Sequence, residues 1–83
     1  HRLDTLQIEF RSLEDLQRFA VNESMCRLFQ NAERTDHTVI LRSKDIDEVV
    51  KQVYNAIFNT KIYPVKVEIL EPTLENLFLE VVK

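Results

Sequence analysis

Not one glycine occurs among the 83 residues of this chain. Glycine is the default residue wherever a backbone takes positive φ or approaches a ligand closely. Turns, helix caps and hairpins must therefore be made here by other side chains, with asparagine and aspartate the best substitutes because they tolerate the left-handed region. The same lack excludes glycine-rich phosphate cradles, since neither the P-loop nor the dinucleotide fingerprint can be written without glycine. This segment is not itself an ordinary nucleotide site.

A chain of this length suits one domain, burying only ~60–65% of the surface its unfolded form exposes. Hydrophobic residues make up 45% and charged residues 30%, the balance of a folded protein rather than a disordered one. Eleven basic against fourteen acidic side chains leave a formal net charge of -3. Nucleic-acid affinity rests mainly on lysine and arginine neutralising phosphates, so no nucleic-acid partner is expected. No apolar run is long enough to span a bilayer, no signal peptide is visible at the start, and a single cysteine, Cys26, excludes an internal disulfide. A cytoplasmic setting is expected. The opening residue, His1, points to a fragment of something longer or to a residue left by a tag.

Residues 5–10 alternate, with Leu6, Ile8 and Phe10 on one face and Thr5, Gln7 and Glu9 on the other, which predicts a half-buried strand. Ser12 is placed to cap a helix whose apolar positions are Leu13, Leu16, Phe19 and Ala20 and whose first turn carries Glu14 and Asp15. That helix is expected to stop near Asn22. Residues 25–29 are apolar and read as a second strand, and residues 37–42 as a third. The polar interval between them, without glycine, predicts a loose hairpin loop using Asn31 or Asp36 rather than a tight two-residue turn. Asp45 and Glu48 form a capping box ahead of Ile46, Val49, Val50, Val53 and Ile57, spaced for one face of a helix ending near a left-handed Asn59. Val65, Val67 and Ile69 give a fourth strand, with Pro64 at its start or on a sheet edge. Pro72 ends it, and Thr73 caps a last helix presenting Leu74, Leu77, Phe78 and Val81, with Leu79 and Val82 widening the apolar surface sideways.

This order predicts an α+β domain of the ferredoxin-like βαββαβ type. Its four-stranded antiparallel sheet, in the order 4-1-3-2, would carry two helices on one face, with a C-terminal helix added. One large class of RNA-binding domains shares that order, but its members stack bases on sheet aromatics, and the outward positions of the first strand here are Gln7 and Glu9.

No set of residues forms a recognisable reaction centre. Cys26 lacks an evident base and reads as a small packing residue in an apolar strand. His37, beside Asp36, reads as a solvated loop histidine. Asp45, Asp47 and Glu48, and likewise Glu71, Glu75 and Glu80, read as helix-start and solvent-face carboxylates rather than a general acid and base. Zinc ligation would want paired Cys and His ligands that are absent. No catalytic, cofactor or metal residue is therefore expected in residues 1–83, and the paired apolar side chains of the last segment point instead to a contact surface.

The run Val67-Glu68-Ile69-Leu70-Glu71-Pro72-Thr73-Leu74-Glu75-Asn76-Leu77-Phe78-Leu79 resembles the EPSLEDxFL ending of ATP-binding subunits of bacterial ABC exporters, the class that pairs with ABC-2-type permeases for drugs, antibiotics or sodium. In that family an accessory domain of about this size follows the nucleotide-binding domain. The opening strand, the Ser12-Leu13-Glu14-Asp15-Leu16 helix start, the hairpin and the helix of residues 45–58 match by pattern, while the last dozen residues carry the specificity. Asn76 stands where aspartate is commoner.

The resemblance implies a parent subunit that binds ATP and Mg and hydrolyses ATP to drive export, with its catalytic motifs upstream of His1. The present segment would be a non-catalytic accessory domain at the inner face of the cell membrane, without inserting into it. Its implied partners are its own nucleotide-binding domain, a second ATP-binding subunit and the permease. The motif positions carried over are Pro72, Thr73, Leu74, Glu75, Leu77 and Phe78, and Leu79 and Val82 are the outward contacts. The alternative is a free-standing small-molecule-binding regulatory domain of the same fold.

Overall fold

Leu6, Ile8 and Phe10 alternate with Thr5, Gln7 and Glu9, and the first three are wholly removed from solvent while the second three stay half-exposed. That strand is the middle of everything that follows. The computed structural model describes residues 4–70. In chain order its elements are β1 (Asp4–Glu9), α1 (Leu13–Ala20), α2 (Cys26–Gln30), β2 (Glu33–Thr35), β3 (Thr38–Ser43), α3 (Ile46–Thr60) and β4 (Lys66–Leu70). The architecture is α+β, with a four-stranded antiparallel sheet and three helices among the described residues.

The sheet runs β2-β3-β1-β4. Read from β4, the neighbours follow as 4-1-3-2, but the second strand is a different segment from the one expected. Residues 25–29 are not a strand. Met25 and Phe29, four apart, are buried while Cys26 and Arg27 are exposed, a helical period that five residues are too few to reveal unambiguously. The Asn22 carbonyl accepts the amides of Met25 (2.9 Å) and Cys26 (2.8 Å), which turns the chain into α2. Its side-chain Oδ1 accepts both the Ser24 amide (3.0 Å) and hydroxyl (2.6 Å).

β2 is instead Glu33–Thr35, all three residues of which are exposed, recruited by its ladder to β3 with Thr35 opposite Thr38. That pairing leaves Asp36 and His37 as a two-residue turn, tighter than the loop predicted. It is possible without glycine because Asp36 takes φ 55, a conformation aspartate tolerates better than most residues.

The helices cover one face of the sheet. Phe19 stands between Phe10 (ring centroids 5.1 Å apart) and Phe29 (5.8 Å), joining α1, α2 and the end of β1 in one aromatic run. Such tilted pairs add ~0.5–1.5 kcal/mol each to the ~1.5–3 kcal/mol of burying a ring. Leu16, Ala20, Met25, Val39, Leu41, Ile46, Val49, Val53 and Ala56 complete the described core with Ile62. Leu13, expected on the packing face of α1, is 53% exposed, whereas Ala56 lies fully buried on α3 although the expected apolar stripe did not include it.

The helix starts follow the sequence closely. Ser12 Oγ accepts the Asp15 amide at 3.2 Å, and Asp45 Oδ1 accepts the Glu48 amide at 3.4 Å. The return half of the expected capping box is taken by a different residue: the Asp45 amide donates to Ser43 Oγ at 3.0 Å, and the Glu48 carboxylate lies 4.0 Å from Lys51 Nζ.

The end of α3 departs from expectation. Asn59 stays helical, and the left-handed cap is Lys61, at φ 61 and ψ 26, its amide donating to the Ile57 carbonyl at 2.8 Å. Thr60 Oγ1 makes this exit two residues later than expected, donating to the Ala56 carbonyl (2.7 Å) and accepting the Ile62 amide (3.2 Å). Ile62 is thereby turned back into the core.

A left-handed L-residue other than glycine costs ~1–2 kcal/mol, and part of the gain from replacing it is returned as unfolded-state entropy. Lys61→Gly is therefore expected to stabilise the chain by about 0.5–1 kcal/mol, read as a higher Tm in thermal unfolding, and Lys61→Val to lower it. An unchanged or lower Tm for the glycine variant would show that the lysine side chain contributes more than its backbone costs.

Candidate functional site

All eight residues expected to form the contact motif, Pro72, Thr73, Leu74, Glu75, Leu77, Phe78, Leu79 and Val82, lie outside the described residues, as does the C-terminal helix they were expected to build. The described residues define the surface next to which that segment begins, because β4 ends at Leu70.

The two faces of the sheet differ sharply in chemistry. On the face away from the helices, Thr5, Gln7 and Glu9 of β1 lie level with Arg42, Ile40 and Thr38 of β3 and with Leu70, Glu68 and Lys66 of β4. Arg42 and Glu33 pair at 2.8 Å and Lys66 and Glu68 at 3.2 Å, all partly exposed, so each pair is worth at most about 1 kcal/mol. None of the described residues on this face is aromatic, which leaves a base-stacking platform of the RNA-binding kind without its stacking groups.

On the other face the helix layer packs mainly on β3 and β1. α2 packs on β3, and α3 packs on β1 and β3. Val67 is opposite Ile8 and Ile69 opposite Leu6, so both point to the core side. Val67 is half-buried against the core, whereas Ile69 is 42% exposed.

α3 also carries exposed apolar side chains. Val49 and Gln52 line hollows shared with α2. At about 3.6 residues per turn, Tyr54 and Phe58 fall one above the other on the outward side of α3, beyond the half-buried Val50 and Ile57. Tyr54 is 54% and Phe58 79% exposed. Two aromatic rings on α3 and an isoleucine on β4 are thus apolar side chains left open to solvent. The sequence placed Ile69 on a packing face without anticipating that the helix layer would leave it open, and Tyr54 and Phe58 lay off the expected stripe. Their i, i+4 spacing was the signal that could have found them.

The candidates for chemistry are dispersed. Cys26 is not a packing residue: it opens α2 on the surface, its thiol 3.5 Å from the Glu23 carbonyl. The shift from strand to helix moves it from an inward to an outward position. It borders an open groove of about 420 Å³ with Gln17, Ala20, Val21, Gln30 and Arg34. Arg34 is already engaged, its guanidinium donating to the Phe29 carbonyl at 3.4 Å and lying 6.0 Å from that ring's centroid.

His37 is half-buried rather than solvated. Its carbonyl accepts the Phe10 amide at 2.8 Å, and its buried Nδ1 has no hydrogen-bond partner among the described residues. Asp45, Asp47 and Glu48 are all exposed around the start of α3, where Asp45 is the cap. Among the described residues no group of three His, Cys, Asp or Glu side chains converges as a metal site would need, and no helix is long and apolar enough to cross a membrane. Comparison with known protein families, with curated proteins and with solved structures finds no match.

The exposed position of Cys26 has a direct consequence. One thiol per chain is expected to react with an aromatic disulfide reagent in the absence of denaturant, and Cys26→Ser is expected to leave Tm within about 2 °C of the wild type. A thiol that reacts only after unfolding would restore the packing role.

Proposed function

We propose that this chain is the C-terminal accessory domain of the ATP-binding subunit of a bacterial ABC exporter, of the class paired with ABC-2-type permeases, and that its work is protein contact rather than catalysis. The fold is read as ferredoxin-like, with α1 and α2 together standing for the first helix of a βαββαβ unit. One observation carries the reading. The family-like ending, Glu71-Pro72-Thr73-Leu74-Glu75-Asn76-Leu77-Phe78-Leu79, begins where the edge strand β4 finishes at Leu70, so the motif is continuous with an edge of the sheet. The exposed Val65, Ile69 and Leu70 on and beside that edge strand support a role in contact, because exposed apolar side chains that lie together mark docking surfaces.

In this reading ATP and Mg belong to the parent subunit, upstream of His1, and the domain sits at the cytoplasmic face of the membrane. Pro72, Thr73, Leu74, Glu75, Leu77 and Phe78 are the motif positions carried over from the resemblance. Leu79 and Val82 meet the second ATP-binding subunit or the permease. A carboxylate introduced into such a contact must be desolvated without a partner, which costs several kcal/mol.

The reading frame upstream of His1 is accordingly expected to encode a P-loop. In the complete subunit, Leu79→Asp combined with Val82→Asp is expected to keep nucleotide binding while weakening dimerisation or co-purification with the permease about tenfold or more. A frame without a P-loop, or unaltered association of the double variant, would count against the assignment.

A further inference from the structure

We infer that the outer edge of β4 pairs with a second copy of this chain, the two β4 strands joining antiparallel about Val67 to make one continuous sheet. β4 is the last strand in the order β2-β3-β1-β4, so among the described residues its far side has no ladder partner. Backbone amides and carbonyls along such an edge are a template for another strand, and sheets protect their edges by keeping them short, charged or covered. The opposite edge is protected in that way: β2 has three residues, Glu33, Arg34 and Thr35, none of them apolar. β4 is longer, and four of its five residues are exposed, Ile69 and Leu70 among them.

The side chains of β4 decide which partner fits. Val67 and Ile69 lie level with Ile8 and Leu6 on the core side, and Lys66 and Glu68 level with Glu9 and Gln7 on the other face. Directly opposite residues of an antiparallel pair share a face. A two-fold axis perpendicular to the sheet, the symmetry of a simple dimer, therefore passes beside one residue that stands opposite its own copy. With Val67 in that place, Lys66 of each copy stands opposite Glu68 of the other. On the core side Val67 meets Val67, and Ile69, 42% exposed, comes level with Val65, 59% exposed, so both rows match at once. The two adjacent registers, centred on Lys66 or on Glu68, set like charges directly opposite each other, which is destabilising.

Within one chain Lys66 Nζ and Glu68 Oε1 are already 3.2 Å apart. Pairing about Val67 closes two such ion pairs into a ring of four alternating charges, an arrangement that holds better than isolated surface pairs. Pro64 has no amide to donate, which limits the new ladder to residues 65–69. An unrelated extended peptide would satisfy the same backbone groups, but the second copy is the occupant whose charges match by symmetry. The edge contact does not rest on the exporter assignment.

Charge reversal on the full chain tests the pairing. Lys66→Glu and Glu68→Lys, each alone, are expected to raise the dissociation constant of the dimer about tenfold in sedimentation equilibrium, because both cross-strand pairs become repulsive. An equimolar mixture of the two variants is expected to associate as the wild type does, since each then meets the opposite charge on the other. Far-UV circular dichroism checks that each remains folded. If either does not, amide hydrogen exchange of the wild type is the second readout: exchange in residues 66–70 is expected to slow as protein concentration rises, with that of β2 unchanged. A wild type that stays monomeric at every concentration, reversals that leave its dimer intact, or a mixture that associates no better than its components would overturn the inference. A dimer dissolved by Leu79→Asp with Val82→Asp but not by the reversals would overturn it while leaving the exporter reading in place.

Discussion

Everything in this domain is organised around the desolvated side of β1. Its core-facing residues, Leu6, Ile8 and the following Phe10, are fully buried, and the strand is laddered on both edges, to β3 and to β4. A strand in that position satisfies its backbone groups on both sides while presenting one apolar row to the helices. Phe10 passes the organisation on: its ring meets Phe19, which meets Phe29, so the helical half is tied to the sheet by one line of aromatic contacts. α3 closes the other half over β1 and β3 through Val49, Val53 and Ala56.

The lack of glycine shapes how the backbone changes direction. Among the described residues two positions take positive φ, Asp36 in the β2–β3 turn and Lys61 at the end of α3. Elsewhere, short polar side chains bond to nearby backbone, with Ser12 and Asp45 at helix starts, Asn22 before α2, Ser43 after β3 and Thr60 at the exit of α3. These local bonds offer the chain alternatives to continuing a helix or strand. They define element ends in a sequence that has no freer residue to do it. No described polar or charged residue is buried, so specificity in this core comes from shape and from where each element stops.

The functional reading follows the same division. The motif that resembles an exporter subunit's ending was found in residue order, at positions 71–79, whereas the exposure of Ile69 on the core side of β4 is a property of the folded layers. Sequence periodicity assigns a side chain to a face of its own helix or strand. It does not say whether a second element will cover that face. Tyr54 and Phe58 sit on the outward side of α3 and are open to solvent, and Ile69, although inside the stripe of β4, is 42% exposed as well.

By itself the sequence determined β1, the starts of α1 and α3 and the location of β4, because each combines several turns of unambiguous period with a capping or breaking residue that acts within a few positions. Tertiary structure decided the stretch between Asn22 and Thr38. Five apolar residues carry too little period to separate strand from helix, so 25–29 became α2 when Met25 and Phe29 found the core and Phe29 found Phe19. Glu33–Thr35, with no apolar signal at all, became a strand because β3 offered an unpaired edge. It also decided that Lys61 rather than Asn59 would turn left-handed, since carrying α3 on to Thr60 is what returns Ile62 to the core. Local patterns are written in neighbouring residues; which edge is free and which cavity needs filling exist only once distant parts of the chain have met.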